Sequence, residues 1–174
     1  MATRQGGCRS TRLTVRLFSV GMEKDYPRDL FDGVPRPPTV VREDRAMFAD
    51  HEGTVYVEHG ATLTLTGTLR GTLAVEAGAA AVIVGSDPGT LHVSRGAHVR
   101  VTGRQAGTTH NDGVLVIERD GAQRGSLYNT GRVTLRGEHA GALEDHGEFV
   151  VEPGGHLVPP TRVEGNVTIY EHGD

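Results

Sequence analysis

The sequence predicts an all-β fold, a single-stranded parallel β-helix (β-solenoid) of about seven rungs of ~18 residues. Three observations lead to this prediction. A short segment opened by glycine returns along the chain, its apolar residues alternate with a period of two, and large side chains are scarce. Aromatic residues make up 5% of the chain, tryptophan is absent, and glycine accounts for 25 of 174 residues. Such a composition indicates many turns around a thin core of small aliphatic side chains.

The repeated segment has the pattern Gly-x-apolar-x-aliphatic, and successive copies begin 18, 18, 24, 18, 16 and 18 residues apart. The copies are GTVYV at Gly53, GTLAV at Gly71, GTLHV at Gly89, GVLVI at Gly113, GRVTL at Gly131, GEFVV at Gly147 and GNVTI at Gly165. Stacked in register, they predict one inward column of Val55, Leu73, Leu91, Leu115, Val133, Phe149 and Val167. They predict a second inward column of Val57, Val75, Val93, Ile117, Leu135, Val151 and Ile169.

Each segment is too short to bury its apolar face alone, so the segments must stack on one another. Strands that return in the same direction pair in parallel, and 18 residues divide into three sides of six. We therefore expect a roughly triangular cross-section, and general chirality rules favour a right-handed coil. Further inward sides are predicted at Ala61, Leu63 and Leu65, with equivalents at Ala79, Ala81, Ile83, Ala97, Val99 and Val101.

The corners of the coil are predicted from glycine and from side-chain amides. Glycine at the start of each segment is expected to supply the positive φ that a tight corner often needs. Asn111, Asn129 and Asp145 each come two residues before such a glycine, where polar side chains bond to nearby backbone. We expect these three residues to form a structural ladder at a corner.

The chain divides into three predicted regions: a flexible basic tail (1–21), a Pro-rich lead-in and N-terminal cap (22–52), and the solenoid (53–174). Residues 42–51 are expected to form a short helix that turns Met47 and Phe48 towards the solenoid. The 24-residue spacing predicts a protruding loop over residues 104–110. Its candidate interaction residues are Arg104, Gln105, Thr108, Thr109 and His110. We expect the last segment to be uncapped, which makes Val167, Ile169 and Tyr170 a candidate polymer end.

Charge and composition restrict the function. The net charge is -4, and the region from Gly53 onward is acidic, which argues against nucleic-acid binding. No apolar run reaches transmembrane length and no signal-peptide core is present, so we expect a cytoplasmic protein without a membrane partner. Cys8 is the single cysteine, which excludes an internal disulfide.

The sequence gives little support for a catalytic or metal-binding site. Nine histidines are present without a metal-binding spacing, and His92 and His98 are expected to be exposed. His110 is the best general-base candidate, but no orienting carboxylate other than nearby Asp112 can be identified. Four glutamates, Glu58, Glu76, Glu118 and Glu152, follow the second inward column and predict a solvated acidic edge rather than a calcium site. We expect no enzyme activity and no cofactor.

The glycine-opened rungs, the small triangular core and the Pro-containing flanks resemble a bactofilin core, clearly over 53–103 and loosely over 113–170. Bactofilins are bacterial cytoskeletal β-solenoids that polymerise end to end without nucleotide. The resemblance implies a self-associating scaffold.

Two alternatives remain. One is a protein-binding module, of a partner- or toxin-neutralising type, that uses the 104–110 loop and the irregular second half. The other is an enzyme, because the six-residue sub-period is also similar to that of hexapeptide-repeat acyltransferases. That likeness implies left-handed rungs and a catalytic histidine at a subunit boundary.

Overall fold

The computed structural model describes residues 24–159, 162–164 and 167–169, and residues 39–157 form a β-solenoid of seven stacked rungs. The described residues contain strands and turns, and among them no helix is long and apolar enough to cross a membrane. All pairings between rungs are parallel. The predicted fold class is therefore confirmed.

Three parallel sheets form the sides of the coil, here called face 1, face 2 and face 3, with strands numbered in chain order. Face 1 contains β3 (Thr39–Val41), β5 (His51–Val57), β7 (Leu69–Val75), β10 (Thr90–Val93), β13 (Thr109–Asn111), β16 (Leu127–Asn129) and β19 (Leu143–Asp145). Face 2 contains β4 (Arg45–Met47), β6 (Thr62–Leu65), β8 (Ala80–Ile83), β11 (His98–Val101), β14 (Val114–Ile117), β17 (Arg132–Leu135) and β20 (Glu148–Val151). Face 3 contains β9 (Ser86–Asp87), β12 (Arg104–Gln105), β15 (Ala122–Gln123), β18 (Glu138–His139) and β21 (His156–Leu157). Rung 1 begins with β3 and rung 7 with β19.

The register differs from the predicted columns after the third repeated segment. Leu91 pairs with Thr109, and Leu115 pairs instead with Val99 on face 2. The glycine-opened pattern therefore moves from face 1 to face 2, because the 24-residue step is one 18-residue rung plus one six-residue side. The predicted assignment of Leu115 and the following members to the Val55 column was wrong for this reason. The apolar sides predicted at Leu63 and Leu65 and their equivalents are confirmed as the inward positions of face 2.

Rung length changes only in steps of two residues. Successive inward residues of face 1 from Val55 to Leu127 are 18 residues apart, and the step to Leu143 is 16. Face 2 has a 16-residue step between Val99 and Leu115. Side chains alternate between the two surfaces of a strand, so an even step keeps the same residues inside.

The glycines at the corners are required for close stacking more than for positive φ. Gly71 and Gly89 have ordinary backbone angles, but a Cβ on either would collide with the backbone of the preceding rung. The same holds for Gly107 and Gly125, which continue this column on face 1. The predicted positive φ is correct only for Gly53 among the segment-opening glycines of the described residues.

The described N-terminal region begins with residues 24–38, here called the strap, which lie along the side of the coil. Strands β1 (Asp29–Phe31) and β2 (Val34–Arg36) form an antiparallel hairpin across Asp32 and Gly33, both with positive φ. Two positive φ angles at the turn are typical of a type I′ hairpin, which Asp-Gly favours. Strap residues contact rung 2, where Asp29 accepts from the Thr54 N–H at 2.7 Å and from its hydroxyl. They also contact rung 3, where the Tyr26 hydroxyl donates to Glu76 at 3.0 Å.

The first rung itself lies within the predicted lead-in. Residues 42–51 contribute β4 and the start of β5 instead of a helix, and Thr39 rather than Gly53 begins the parallel stack. Met47 packs against the core as expected, but the side chain of Phe48 is 78% exposed. The alternation Arg-Ala-Met is that of a strand with Met47 inward.

The final repeated segment does not join the solenoid. Strand β23 (Val167–Ile169) pairs antiparallel with β22 (Arg162–Glu164), and in the described residues neither strand belongs to face 1, 2 or 3. The prediction that Val167 and Ile169 extend the inward columns was therefore wrong. Tyr170 and the basic tail at 1–21 lie outside the described residues.

Candidate assembly surface

The residues expected to form a protruding loop belong to the wall of the coil. Arg104 and Gln105 form β12 on face 3, and Thr109 and His110 lie in β13 on face 1. Gln105 and Thr109 are fully buried, Arg104 is exposed, and Thr108 and His110 are partly exposed. The loop prediction was wrong, and only the exposed members of this set can meet a partner.

Polar side chains occupy the inside of face 3. Asp87, Gln105, Gln123 and His139 are in register on successive rungs, and each is at most 2% exposed. The hydrogen-bond network assigns the Gln105 amide nitrogen towards Asp87, donating to its backbone carbonyl at 2.6 Å and to its carboxylate at 3.0 Å. The Gln105 oxygen then accepts from the Thr109 hydroxyl at 3.3 Å, which links face 3 to face 1. The alternation of aliphatic residues in the sequence does not indicate these inward positions, because their side chains are polar.

Burial shifts the pKa values of the two titratable side chains in this column, Asp87 and His139, in opposite directions. Desolvation raises the pKa of Asp87 to about 6, against the lowering effect of the hydrogen bond from the Gly89 N–H. Desolvation lowers the pKa of His139, whose two ring nitrogens have no hydrogen-bond partner among the described residues. Both effects favour the uncharged form inside the coil.

The amide ladder predicted from the sequence is present inside face 1. Asn111 Nδ2 donates to Asn129 Oδ1 at 2.7 Å, and Asn129 Nδ2 donates to Asp145 Oδ1 at 2.6 Å. Asn129 Oδ1 and Asp145 Oδ1 also accept from the Gly131 and Gly147 N–H groups, at 3.2 Å each. The ladder replaces the valines that occupy this column from Val41 to Val93, and it holds the last three rungs in register.

The predicted single row of glutamates is two rows at different corners. Glu58 and Glu76 follow face 1, where both accept from the hydroxyl of Tyr26, at 3.1 and 3.0 Å. Burial and these two hydrogen bonds raise the pKa of Tyr26. Lys24 pairs with Glu76, and Arg42 pairs with Glu58 at 3.3 Å.

The second row follows face 2 and alternates in charge. Arg100 and Arg136 both pair with Glu118, at 2.9 and 3.2 Å, and Arg136 also pairs with Glu152 at 2.8 Å. Burial alone would raise the pKa of Glu118, but hydrogen bonds from Arg136 and Arg100 outweigh it and lower the pKa. These carboxylates bind cationic side chains, and among the described residues no group of three or more His, Cys, Asp or Glu can hold a metal ion.

Stacked rings lie on the outside of face 1. The ring centroids of His92 and His110 are 4.9 Å apart, and those of His110 and Tyr128 are 5.0 Å apart, with the planes within 9° of parallel. Rung spacing sets these distances. Burial, followed by repulsion from His110, lowers the pKa of His92. In this row the candidate base His110 lies between the rings of His92 and Tyr128.

The two ends of the coil differ from its sides. Rung 7 exposes inward-pointing apolar side chains, with Leu143 at 39%, Val151 at 45% and Leu157 at 42% exposure, and Phe149 partly buried. Their register partners one rung earlier are buried: Leu127 for Leu143, Leu135 for Val151, His139 for Leu157 and Val133 for Phe149. Strands β19, β20 and β21 are the last members of their described sheets, so one backbone edge of each lacks a described partner strand.

Comparisons with family models, with curated proteins and with solved structures found no match for this chain. The fold and its stacked register define its class as a parallel β-solenoid repeat protein.

Proposed function

We propose that this β-solenoid is a non-enzymatic scaffold that self-associates end to end. The observation that carries the proposal is at rung 7, where apolar residues of the inward columns are exposed and three parallel strands each lack a partner strand on one edge among the described residues. Exposed strand edges are templates for pairing with another chain, and apolar side chains around them add a hydrophobic driving force.

The sides of the coil offer a poorer surface for this purpose. Their corners carry paired charges such as Arg100 with Glu118, and their polar interior groups are sealed from solvent. The resemblance of the repeat to bactofilin cores, which polymerise end to end without nucleotide, agrees with an assembly role. A cytoplasmic location and a second copy as partner are parts of the same proposal.

A matched pair of substitutions tests the role of the end rung. Val151 on rung 7 and Val84 at a corner of rung 3 are similarly exposed, at 45% and 47%. We expect the natural protein to form oligomers that grow with concentration in sedimentation velocity and filaments in negative-stain microscopy. Val151→Glu should abolish both, because it places a charge in the junction, whereas Val84→Glu should leave both unchanged.

Circular dichroism on both variants verifies that the fold persists. A natural protein that remains monomeric at all concentrations and salt conditions overturns the proposal. Equal loss of association in the two variants also overturns it, because the effect would then not belong to the end rung.

A second candidate, a protein-binding module, is favoured by the exposed row of His92, His110 and Tyr128 on face 1. Its test is capture of a partner by the natural protein and by a His110→Ala, Tyr128→Ala double variant. Unchanged recovery of that partner would contradict this role for face 1.

A further inference from the structure

We infer that copies join head to tail, with rung 7 of one copy on rung 1 of the next, and that Arg45 pairs with Asp145 across this junction. The inference rests on the proposed end-to-end association and adds its polarity. It follows from strand direction, from the inward charges at the two ends, and from a contact that already recurs between rungs.

Strand direction favours continuation of the stack. Strands β3 and β19 are the opposite terminal members of face 1, and β4 and β20 are those of face 2. Head-to-tail stacking therefore places β19 on β3 and β20 on β4 in the same parallel pairing that joins every rung. The strand lengths agree, with 3 residues on 3 and 4 on 3.

A junction between two identical ends breaks this match. Turning one copy over reverses the order of the faces, so β19 can oppose itself only if β20 opposes β21. Strand β20 has 4 residues and β21 has 2, and they belong to different faces. A head-to-tail junction matches the strands of faces 1 and 2, and only β21 meets no strand there, because face 3 begins on rung 3.

Each end carries one inward-column charge, and the two charges are opposite. Arg45 begins the column that continues with Leu63 and Ala81, and Asp145 ends the column of Asn111 and Asn129. Both side chains are exposed at their ends. Among residues 24–159, no carboxylate pairs with Arg45 and no cation pairs with Asp145. Head-to-tail contact joins these opposite charges, whereas contact between identical ends doubles one sign.

Internal contacts show the path that the new pair would follow. Asn111 Nδ2 donates to the Arg132 carbonyl at 3.2 Å, and Asn129 Nδ2 donates to the Glu148 carbonyl at 3.4 Å. In each case the last inward residue of face 1 reaches the residue that opens face 2 on the following rung. On rung 1 of a second copy the equivalent residue is Asp44, directly before Arg45. Asp145 has no donor for that carbonyl, but the same reach brings its carboxylate beside Arg45, whose guanidinium can donate to it.

A charge exchange tests the inference. Arg45→Asp and Asp145→Arg should each weaken self-association about tenfold or more, because each puts like charges in every head-to-tail junction. An equimolar mixture of the two variants should recover association, since alternating copies restore opposite charges at every junction. The double variant Arg45→Asp, Asp145→Arg should associate as the natural protein does. Sedimentation equilibrium measures all four samples.

Two controls keep the result specific. Arg95→Asp changes an exposed arginine at a corner of rung 4 and should leave association unchanged. Asp145→Asn keeps the acceptor for Asn129 Nδ2 and should weaken association less than Asp145→Arg, because it removes attraction without adding repulsion. Thermal melts verify that every variant folds.

The possible outcomes distinguish a failure of the Arg45–Asp145 junction from a failure of end-to-end association itself. A monomeric natural protein contradicts end-to-end association itself. A natural protein that associates while the charge variants associate equally well overturns the Arg45–Asp145 junction. Stronger association in a mixture of the natural protein with Arg45→Asp than in either alone would show head-to-head contact and overturn the polarity.

Discussion

Rungs 2 to 4 form the upper half of the coil, and rungs 5 to 7 form its lower half. The two halves have the same parallel backbone pairing but different side chains in the interior. In rungs 2 to 4, inward positions of face 1 and face 2 are aliphatic, as at Val57, Val75 and Val93. In rungs 5 to 7 the same column continues as Asn111, Asn129 and Asp145. Parallel pairing continues across the change without interruption.

Corner glycines are common to both halves, whereas the interior side chains differ between them. Corner glycines occur in both halves, and a Cβ on Gly89 or on Gly125 would meet the backbone of the rung before. The interior also accepts polar side chains, and those of the amide ladder bond to each other along the stack. Corner geometry and even spacing therefore define the rung, and interior chemistry varies within it.

The largest expected difference between the halves concerns two paired residues at the boundary. Leu91 and Thr109 are neighbours in register and both are fully buried. Leu91→Ala should lower the free energy of unfolding by about 2–5 kcal/mol, because it leaves a cavity in an apolar core. Thr109→Ala should cost about 1–3 kcal/mol, because it deprives the Gln105 amide oxygen of its donor. Urea unfolding of both variants checks the order, and a larger loss for Thr109→Ala would contradict it.

Glycine substitutions should affect the two halves alike. Gly89→Ala and Gly125→Ala should each cost about 1–3 kcal/mol in urea unfolding, since the added methyl group forces the rungs apart. Gly96→Ala is the control, because its Cβ would lie 3.9 Å from the nearest described atom and meets only the strain of a φ of +82°. Its loss should be about 1 kcal/mol. Equal losses at all three positions would contradict the stacking role of the corner glycines.

The pH dependence of stability should expose the buried column of face 3. The folded pKa of Asp87 is about 6 against an ordinary 3.8, so its stabilising effect is fully present below about 4 and is lost as pH rises through 6. Asp87→Asn should therefore raise the free energy of unfolding at pH 7 by about 1–3 kcal/mol. The gain should vanish at pH 4, as measured by urea unfolding across this range.

His139 acts in the opposite sense within the same column. Its folded pKa lies below the ordinary 6.5, so the unfolded chain takes up more protons and stability falls as pH drops below that value. His139→Gln should remove this loss and leave stability at pH 8 nearly unchanged. Identical acid profiles for the variant and the natural protein would contradict a buried neutral imidazole.

The smallest expected effect lies on the outside of the lower half. Tyr128 is 41% exposed and stacks on His110, so Tyr128→Ala should cost about 0.5 kcal/mol. Val84→Ala provides a comparison at a residue that is 47% exposed and makes no ring contact. Thermal melts of the two variants measure the difference, and equal losses would show that the stack adds nothing.

The upper half was predictable from sequence because its interior follows one rule. Apolar alternation in GTVYV, GTLAV and GTLHV specifies three strands, and the face 2 residues around Leu63 follow the same spacing. The Asn111–Asn129–Asp145 ladder was also predictable, because each residue stands at the same distance from a corner glycine.

The register of the lower half was not predicted, because polar residues take inward positions on its face 1. Thr109 and Asn111 interrupt the aliphatic pattern, so GVLVI at Gly113 looks like the next copy of GTLHV when it belongs to another side. The Asp32-Gly33 pair did signal a hairpin, and a search for that dipeptide would have found β1 and β2. The opposite charges of Arg45 and Asp145 become related only once the register places them in inward columns at opposite ends.

The even steps in rung length set a rule for how this chain can vary. A deletion of two residues at a corner, such as the one between Val99 and Leu115, leaves every later side chain on its original surface. A deletion of one residue would send each apolar residue of the next strand to solvent and each polar residue inside. Homologous chains should therefore differ in length by pairs of residues or by whole 18-residue turns, and an engineered coil can be lengthened by the same units.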